Sequence, residues 1–242
     1  MFLWPETVAG RGSSEIGSCL LKYFETANVT AKKLVVYSDN CSGQNKNFNT
    51  VGLWQYLVSS GKFDEVCHTF PVPGHTMMPC DRDFGDTERK LRKKQCIYSP
   101  SQYIEIISEC RPKNPFTAIE MTCEDFVNIG VVTDLMTRRS VTTENEKIDF
   151  CKISQMRIRK DYVHYLDVKS SHYDAEEWKT INLQKRGRPA NIANVVMPKL
   201  NSGPLRRRQM TLNHCCPNAF RRYIITSTLM LLSAVRRILT MK

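Results

Sequence analysis

The sequence predicts an α/β domain in which a mixed sheet is flanked by helices. Short apolar runs alternate with amphipathic stretches, in the order strand, helix, strand, helix, strand, helix, over about the first 95 residues. One run, residues 34–37, is apolar throughout and rich in β-branched residues, which is typical of a strand covered on both faces. Apolar residues make up 41% of the 242 residues, an ordinary globular share that argues against wholesale disorder.

The individual elements follow from local pattern. We predict a strand at residues 1–4 that ends at Pro5, and a helix that begins at Ser13 or Ser14 because either hydroxyl can cap it. The other predicted strands of this part are residues 34–37 and 66–72, and the other predicted helices are residues 49–60, 81–95 and 100–113.

The second half is less periodic. Residues 150–159 and 162–168 alternate apolar and polar side chains and predict an antiparallel pair of strands. From about Gln184 onward Pro, Gly, Asn and Arg dominate, which predicts a largely extended segment. We therefore divide the chain into a partial core at 1–115, an α+β part of the same domain at 116–177, and a basic tail at 178–242.

The positive charge is concentrated in that tail. Residues 178–242 hold 13 of the 35 Lys and Arg residues and none of the 24 Asp and Glu residues, so residues 1–177 have a formal net charge of −2. A near-neutral body with a basic extension predicts binding to a polyanion, and nucleic acid is the polyanion we favour. The alternative is a poorly folded tail that happens to be basic.

A polar segment directly after the strand at 34–37 is the first candidate site. Asp39 follows the strand, and the small and amide side chains after it include Asn45. A carboxylate at the end of a buried strand can hold Mg²⁺, which takes one or two carboxylates and keeps several waters. The alternative is an ordinary polar loop in which Asp39 caps the following helix.

A second cluster runs from His75 through Asp81 to Glu88. On a helix Asp81 and Glu88 lie on one face, two turns apart, and one of them could point back toward Asp39. Acids so placed would suit two-metal phosphoryl transfer. The alternative is that they pair with basic residues on the same helix surface, such as Arg82, Arg89 and Arg92.

Two basic motifs lie in the tail. Lys185-Arg186-Gly187-Arg188-Pro189 resembles an AT-hook, whose arginines lie in the narrow minor groove of A·T-rich DNA. Arg206, Arg207 and Arg208 form a second basic run that can contact phosphates. A solvated linker or a nuclear import signal is the alternative for the first motif.

Residues 223–235 form an apolar stretch of about 13 residues between pairs of arginines. It is shorter than the ~20 residues that span a bilayer, so we predict a docked or interfacial helix and no membrane span. The ten Cys include no CxxC pair, which disfavours a zinc ribbon and agrees with reduced thiols inside the cell.

Several motifs together resemble a family of transposon-derived animal proteins with an RNase H-like, DDE-transposase type of core. They are Trp4-Pro5-Glu6-Thr7, Arg11-Gly12-Ser13, Ser38-Asp39-Asn40-Cys41, Gly43-Gln44-Asn45, Pro73-Gly74-His75-Thr76 and Asp81-Arg82-Asp83-Phe84-Gly85 with Glu88. The resemblance covers residues 1–115 closely and extends loosely to about 200.

The resemblance implies a place for each element. Residues 1–4 would be the third strand of an RNase H-like sheet and residues 34–37 the fourth. Asp39 would be the second catalytic acid, and Glu88 the third, with Asp81 as the other candidate. The first acid would lie on a strand before Met1, so the core would lack its first two strands.

The sequence therefore favours a remnant of a transposase-like protein that binds DNA and has lost metal-dependent strand transfer. The metal would be Mg²⁺ or Mn²⁺ if any activity remains, and no small-molecule cofactor is expected. We expect nuclear localisation, with the cytoplasm as the alternative, and homo-oligomerisation is possible. The alternative function is a non-catalytic DNA-binding or protein-interaction module.

Overall fold

A computed structural model describes residues 1–72, 74, 78–94, 96–97, 99–187 and 189–200, together with the backbone of residues 223–226. The strands are β1 (Phe2–Pro5), β2 (Lys33–Tyr37), β3 (Glu65–Thr69), β4 (Ile119–Glu120), β5 (Gln155–Arg159), β6 (Tyr165–Lys169), β7 (Lys179–Asn182) and β8 (Tyr223–Thr226). The α-helices are α1 (Ser13–Thr26), α2 (Phe48–Ser59), α3 (Pro79–Leu91), α4 (Pro100–Ser108) and α5 (Gly130–Thr133). Short 3₁₀ turns lie at Cys123–Asp125, Phe150–Lys152, Lys160–Tyr162 and Ile192–Asn194.

The larger sheet is mixed and has five strands in the order β2-β3-β5-β6-β7. β2 and β3 are parallel, and each following pair is antiparallel. This confirms the predicted α/β class and the predicted antiparallel pair β5–β6. Because side chains alternate along a strand, Leu34 and Val36 face the core while Lys33, Val35 and Tyr37 face the other side. β2 is therefore buried on one face only, and the predicted cover on both faces is wrong.

Helix α2 covers the core face of this sheet. Its side chains Val51, Leu53, Trp54 and Leu57 are at most 3% exposed and belong to one cluster with apolar residues of β2, β3, β5, β6 and β7. The helix begins where Asn47 accepts a hydrogen bond from the N–H of Thr50, which caps it.

Several predicted boundaries differ from the structure. β5 begins at Gln155 rather than at residue 150, and β6 at Tyr165 rather than at residue 162, because a 3₁₀ turn precedes each strand. β3 ends at Thr69 rather than at Val72, because Pro71 has no N–H to donate to a neighbouring strand. Helix α3 ends at Leu91 rather than Gln95, and α4 ends at Ser108 rather than Lys113. The chain after α4 forms a 3₁₀-type turn instead, since the N–H of Cys110 donates to the carbonyl of Ile107, three residues earlier.

The first strand does not join the larger sheet. β1 pairs with β4 in parallel and with β8 in antiparallel fashion, in a separate three-stranded sheet. Phe2, Leu3 and Trp4 are nonetheless fully buried there. The expectation that residues 1–4 and 34–37 are the third and fourth strands of one RNase H-like sheet is not confirmed.

The predicted boundary at 177 divides the larger sheet, because β7 at Lys179–Asn182 pairs with β6. Residues up to 200 also contact the body, since Gln184 bridges to Met136 and Lys199 to Val127. The predicted apolar helix at 223–235 begins instead with strand β8, and residues 227–235 lie outside the described residues.

An arginine fixes α3 to the segment after α4. The guanidinium of Arg111 lies 2.5 Å from Asp83 Oδ1 and donates two hydrogen bonds, of 3.0 and 2.9 Å, to Asp86 Oδ2. It also lies over the ring of Phe116, with its carbon 4.7 Å from the ring centroid. Because the side chain of Asp83 is only 6% exposed, Arg111 supplies the charge that makes its burial tolerable.

We predict that Arg111→Ala lowers the free energy of unfolding by about 2 kcal/mol or more, since it leaves a buried carboxylate unpaired. The loss should be smaller than for a fully buried pair, because the Arg111 side chain is 33% exposed. Denaturant unfolding measures it. Arg92→Ala removes an exposed i,i+4 partner of Glu88 on the same helix and should cost less than about 0.5 kcal/mol. Equal losses for the two variants would contradict the role given to Arg111.

Candidate functional site

The loop between β2 and α2, residues 38–47, is held by its own amides. The carbonyl of Cys41 accepts hydrogen bonds from the N–H groups of Gln44, Asn45 and Lys46. Asn40 donates through Nδ2 to the carbonyl of Pro71, 2.8 Å away, which ties the loop to the chain after β3. The polar residues that the sequence suggested as a metal-binding floor therefore build the loop itself.

Asp39 stands at the open side of this loop. Its Oδ1 atom accepts hydrogen bonds from the N–H of Cys41 at 3.1 Å and from Asn45 Nδ2 at 2.7 Å. Its Oδ2 atom accepts no hydrogen bond within the part of the chain that the structure describes, and the residue is exposed. The carboxylate is thus oriented by two donors and presents one oxygen to solvent.

The buried side chain of Lys46 binds the loop on its inner side. It is 7% exposed, and its Nζ donates to Asn40 Oδ1 at 3.0 Å and to the carbonyl of Cys151 at 2.6 Å. The ammonium also lies 5.0 Å from the centroid of the Phe70 ring. Burial lowers the pKa of Lys46 from its ordinary value. Lys46 therefore joins the loop to the 3₁₀ turn before β5.

A buried chain of hydrogen bonds lies beneath the loop. His68 on β3 is fully enclosed; its Nδ1 lies 3.2 Å from Trp54 Nε1 and its Nε2 lies 2.8 Å from Ser38 Oγ. An indole N–H can only donate, so Nδ1 is the acceptor, Nε2 carries the proton, and Ser38 Oγ accepts from it. Burial, and secondarily the charge of Lys46, lowers the pKa of His68 to about 3.

This tautomer decides what the Ser38–His68 pair can do. A histidine that activates a serine must accept the hydroxyl proton, whereas His68 donates to Ser38 Oγ. The Ser38 hydroxyl in turn donates to the carbonyl of Asp39 at 3.0 Å. His68 therefore holds the Ser38 side chain in place, and Ser38 holds the backbone carbonyl of Asp39. The pair is not a nucleophile–base dyad.

The two predicted acids on α3 have local partners. Asp81 accepts through Oδ2 from the N–H of Met78 at 2.9 Å and so caps its own helix. Glu88 pairs with Arg92 one turn later at 2.7 Å, with its side chain 62% exposed. Helix α3 packs against α4, and its side chains and backbone also contact Glu109, Cys110 and Arg111. At its other side, Thr87 Oγ1 lies 3.9 Å from the sulfur of Met1.

Among the described residues, no group of three or more His, Cys, Asp or Glu side chains is arranged to hold a metal ion. Asp39, Asp81 and Glu88 are thus not brought together as one such group. A single carboxylate oxygen, that of Asp39, fits a cation that keeps most of its waters, as Mg²⁺ does. His75, the other predicted candidate of this region, lies outside the described residues.

The structure describes only part of the predicted DNA-binding set. Lys185 and Arg186 are exposed, and the following Gly187 has φ +103°, a conformation that side-chain-bearing residues rarely adopt. Arg188, Arg206, Arg207 and Arg208 lie outside the described residues. Of the other described basic residues after 177, Lys179 pairs with Glu146 and Lys199 with Glu124, so both bind back to the body.

Within the described residues, no helix is long and apolar enough to cross a membrane.

Residues 2–169 match the model of a family described as a domain of unknown function (DUF7869). The chain belongs to this family. Comparison with curated proteins finds no match, and comparison with solved structures finds none. The matched segment runs from β1 to the last residue of β6, so it contains the Asp39 loop and α3, while β7 and the basic tail lie beyond it.

Sequence reasoning missed two residues of this site. His68 had a visible signal, since it is the one polar residue at a core-facing position between Val66 and Phe70. A histidine there must be hydrogen-bonded to remain buried. Lys46 had no such signal, because its partner carbonyl at Cys151 is 105 residues away along the chain.

We predict that His68 makes the stability of this DUF7869 protein depend on pH. Its pKa is about 3 in the folded protein and ordinarily about 6.5, so between these values only the unfolded chain takes up the proton. The stability is complete above about pH 6.5 and is lost as the pH falls toward 3, at up to ~1.4 kcal/mol per pH unit. Urea unfolding between pH 7.5 and about 4.5 measures this dependence.

His68→Gln is the matched control, since its amide can still donate to Ser38 but does not titrate. This variant should be less stable at pH 7.5, and its stability should approach that of the unaltered protein as the pH falls, with the difference narrowing by about 2–3 kcal/mol by pH 4.5. Parallel stability curves would show that His68 is not the group that titrates.

Proposed function

We propose that this protein binds DNA through its basic carboxyl-terminal part and has little or no catalytic activity of its own. The observation that carries the proposal is the charge distribution: residues 178–242 hold 13 basic residues and no acid, next to a body of net charge −2. Folded proteins that must hold a phosphate backbone commonly separate charge in this way. The proposal includes a nuclear location.

The geometry of Lys185 and Arg186 supports this reading. Both are exposed and have no carboxylate partner among the described residues, whereas Lys179 pairs with Glu146 and Lys199 with Glu124. An arginine without a carboxylate partner can meet a phosphate or a minor groove without first breaking an ion pair.

We further propose transposase-like ancestry with an RNase H-like core, in which Asp39 was the second metal-binding acid. Its position two residues after the end of β2, with one oxygen that accepts no hydrogen bond from the described residues, supports this role. Glu88 could join it only by leaving Arg92, and an exposed ion pair of this kind costs at most ~1 kcal/mol to break. Asp81 is less suited, because its release would uncap α3.

The loss of catalysis is supported by the number of ligands. A two-metal mechanism needs acids from several elements around two ions. In the described part of the chain Asp39 offers one oxygen, and β2 pairs only with β3. With one such ligand, Mg²⁺ would bind weakly and would supply only general charge stabilisation near a bound phosphate.

For duplex DNA we expect a strongly salt-dependent affinity. About six phosphate contacts would give a slope of log K against log salt near −5. Changing Arg206, Arg207 and Arg208 to Gln should reduce the steepness of that slope by about 2.7, since ~0.9 counterion is released per contact. Fluorescence anisotropy with a labelled duplex at several salt concentrations measures both values.

These substitutions are preferable to truncation, because a cut at 177 removes β7 from the sheet and any cut before 223 removes β8. The matched control changes Arg139, Lys147 and Lys152 to Gln, three exposed residues of the body. If both variants reduce the slope equally, the tail is not the DNA-binding surface and only total charge matters.

For catalysis we expect no Mg²⁺- or Mn²⁺-dependent nicking of supercoiled plasmid DNA by the purified chain. The comparison pairs the unaltered protein with Asp39→Asn, which keeps the size of the side chain but removes the charge that holds a cation. Nicking that requires the metal and disappears in Asp39→Asn would overturn the proposed loss of activity and identify Asp39 as catalytic.

A further inference from the structure

The face of the larger sheet that α2 does not cover carries a cluster of arginine and aromatic side chains. Met156 and Ile158 of β5 are buried in the core, so Arg157 and Arg159 project from the opposite face. Both guanidinium groups lie 3.0 Å from the same atom, Oδ2 of Asp167 on β6. We call the set Arg157, Arg159, Tyr162, Asp167 and Trp178 the outer cluster.

Aromatic rings flank both arginines. The guanidinium carbon of Arg157 lies 4.2 Å from the centroid of Trp178, and that of Arg159 lies 5.3 Å from the centroid of Tyr162. Tyr162 is 56% exposed and its ring contacts only Arg159 and, edge to face at 6.3 Å, Tyr165 among the described aromatic contacts. The cluster therefore presents a ring face and a cationic plane side by side.

The outer cluster has more donors than acceptors. Arg157 uses Nε and Nη2 on Asp167 Oδ2, while Asp167 Oδ1 is taken by the hydroxyl of Thr180 at 2.9 Å. Each guanidinium has five N–H groups, so one carboxylate cannot satisfy two of them. Arg159 Nε is buried and has no acceptor within the described part of the chain.

The outer cluster also carries one surplus positive charge. Among the described residues of the cluster, two arginines face one carboxylate. Glu65, opposite Arg159 on β3, is paired with Lys33, and Lys169, whose Nζ lies 5.0 Å from the Trp178 ring, is offset by Glu176. Residues 201–242 do not complement this surplus, since they hold eight basic residues and no acid. The complementary occupant is an anion with flat apolar groups.

We propose that the outer cluster binds single-stranded nucleic acid, with a phosphate on Arg159 and a base stacked on Tyr162. Stacking of this kind needs an unpaired base, because the bases of a duplex are already stacked on each other. This inference goes beyond the proposed function, because it places a second nucleic-acid surface on the folded body and does not depend on the tail.

Trp178 provides a local readout. Trp4 and Trp54 are buried at 0% and 2% exposure, whereas Trp178 is partly exposed within the cluster. Oligodeoxythymidylate of about 20 nucleotides should therefore quench tryptophan fluorescence, and Trp178→Phe should abolish the quenching. A duplex of the same length and polyglutamate should quench far less, because neither offers an unpaired base.

Two variants test the contacts. Arg159→Gln leaves Asp167 with Arg157 and Thr180, so no buried carboxylate loses all its partners. It should weaken oligodeoxythymidylate binding about 5-fold and make the salt slope less steep by about 0.7. Tyr162→Ala removes only an exposed ring and should weaken binding at least 5-fold.

Arg139→Gln is the matched control, since it removes one exposed arginine from the body and should leave quenching unchanged. The variant with Arg206, Arg207 and Arg208 changed to Gln should retain Trp178 quenching within about twofold, which separates this surface from the tail. The proposal is overturned if oligodeoxythymidylate does not quench Trp178, if the duplex or polyglutamate quenches it equally, or if Arg159→Gln and Tyr162→Ala bind as tightly as Arg139→Gln.

Discussion

The uncharged side chain of His68 is the point at which the sheet, its covering helix and the candidate loop meet. It accepts a hydrogen bond from Trp54 on α2 and donates one to Ser38, the last residue before Asp39. Both bonds require the same neutral tautomer, so a proton on Nδ1 would set two donors against each other in a dry interior. The position of α2 over β3 and the direction in which the loop leaves β2 thus depend on one proton.

The loop is fixed at its other end by a charge rather than by a neutral bond. Lys46 precedes α2 and reaches back to Asn40 and across to the carbonyl of Cys151. With Ser38 held at one end and Lys46 at the other, the intervening residues have little freedom, and the Asp39 carboxylate stays on the surface. A rigid loop that exposes one carboxylate oxygen is compatible with an old metal site and does not require one.

Local pattern was sufficient to predict most of the helices and strands, because each is short and has a clear apolar period. The antiparallel pair β5–β6 followed from the alternation in residues 150–168. Pairings between distant segments could not be read in this way. The parallel partner of β1 is β4, more than a hundred residues later, and β1 and β2 lie in different sheets, so the single sheet that the resemblance implied is not confirmed.

The candidate site was predictable only in part, for the same physical reason. Asp39 was found because a polar residue after a buried strand is visible in the sequence, and its Asn45 partner lies in the same segment. Arg111, Lys46 and Arg159 were not found, because a long basic side chain gives no sign in the sequence of whether it meets a carboxylate, a carbonyl or water. The contact that defines the role of each of these residues forms only when the chain folds.

Several carboxylates of the body accept hydrogen bonds from backbone N–H groups. Glu15 accepts from the N–H groups of Gly10 and Gly12, Asp125 from that of Thr122, and Glu176 from those of Ser170 and Ser171. A carboxylate oxygen bonded in this way would have to release the backbone N–H before it could bind a cation from solvent. The surplus arginine charge of the outer cluster and the exposed Lys185 and Arg186 face outward instead. The proposed binding of the body to a phosphate backbone is therefore compatible with a net charge close to zero, because what a polyanion meets is the local arrangement of charges and not their sum.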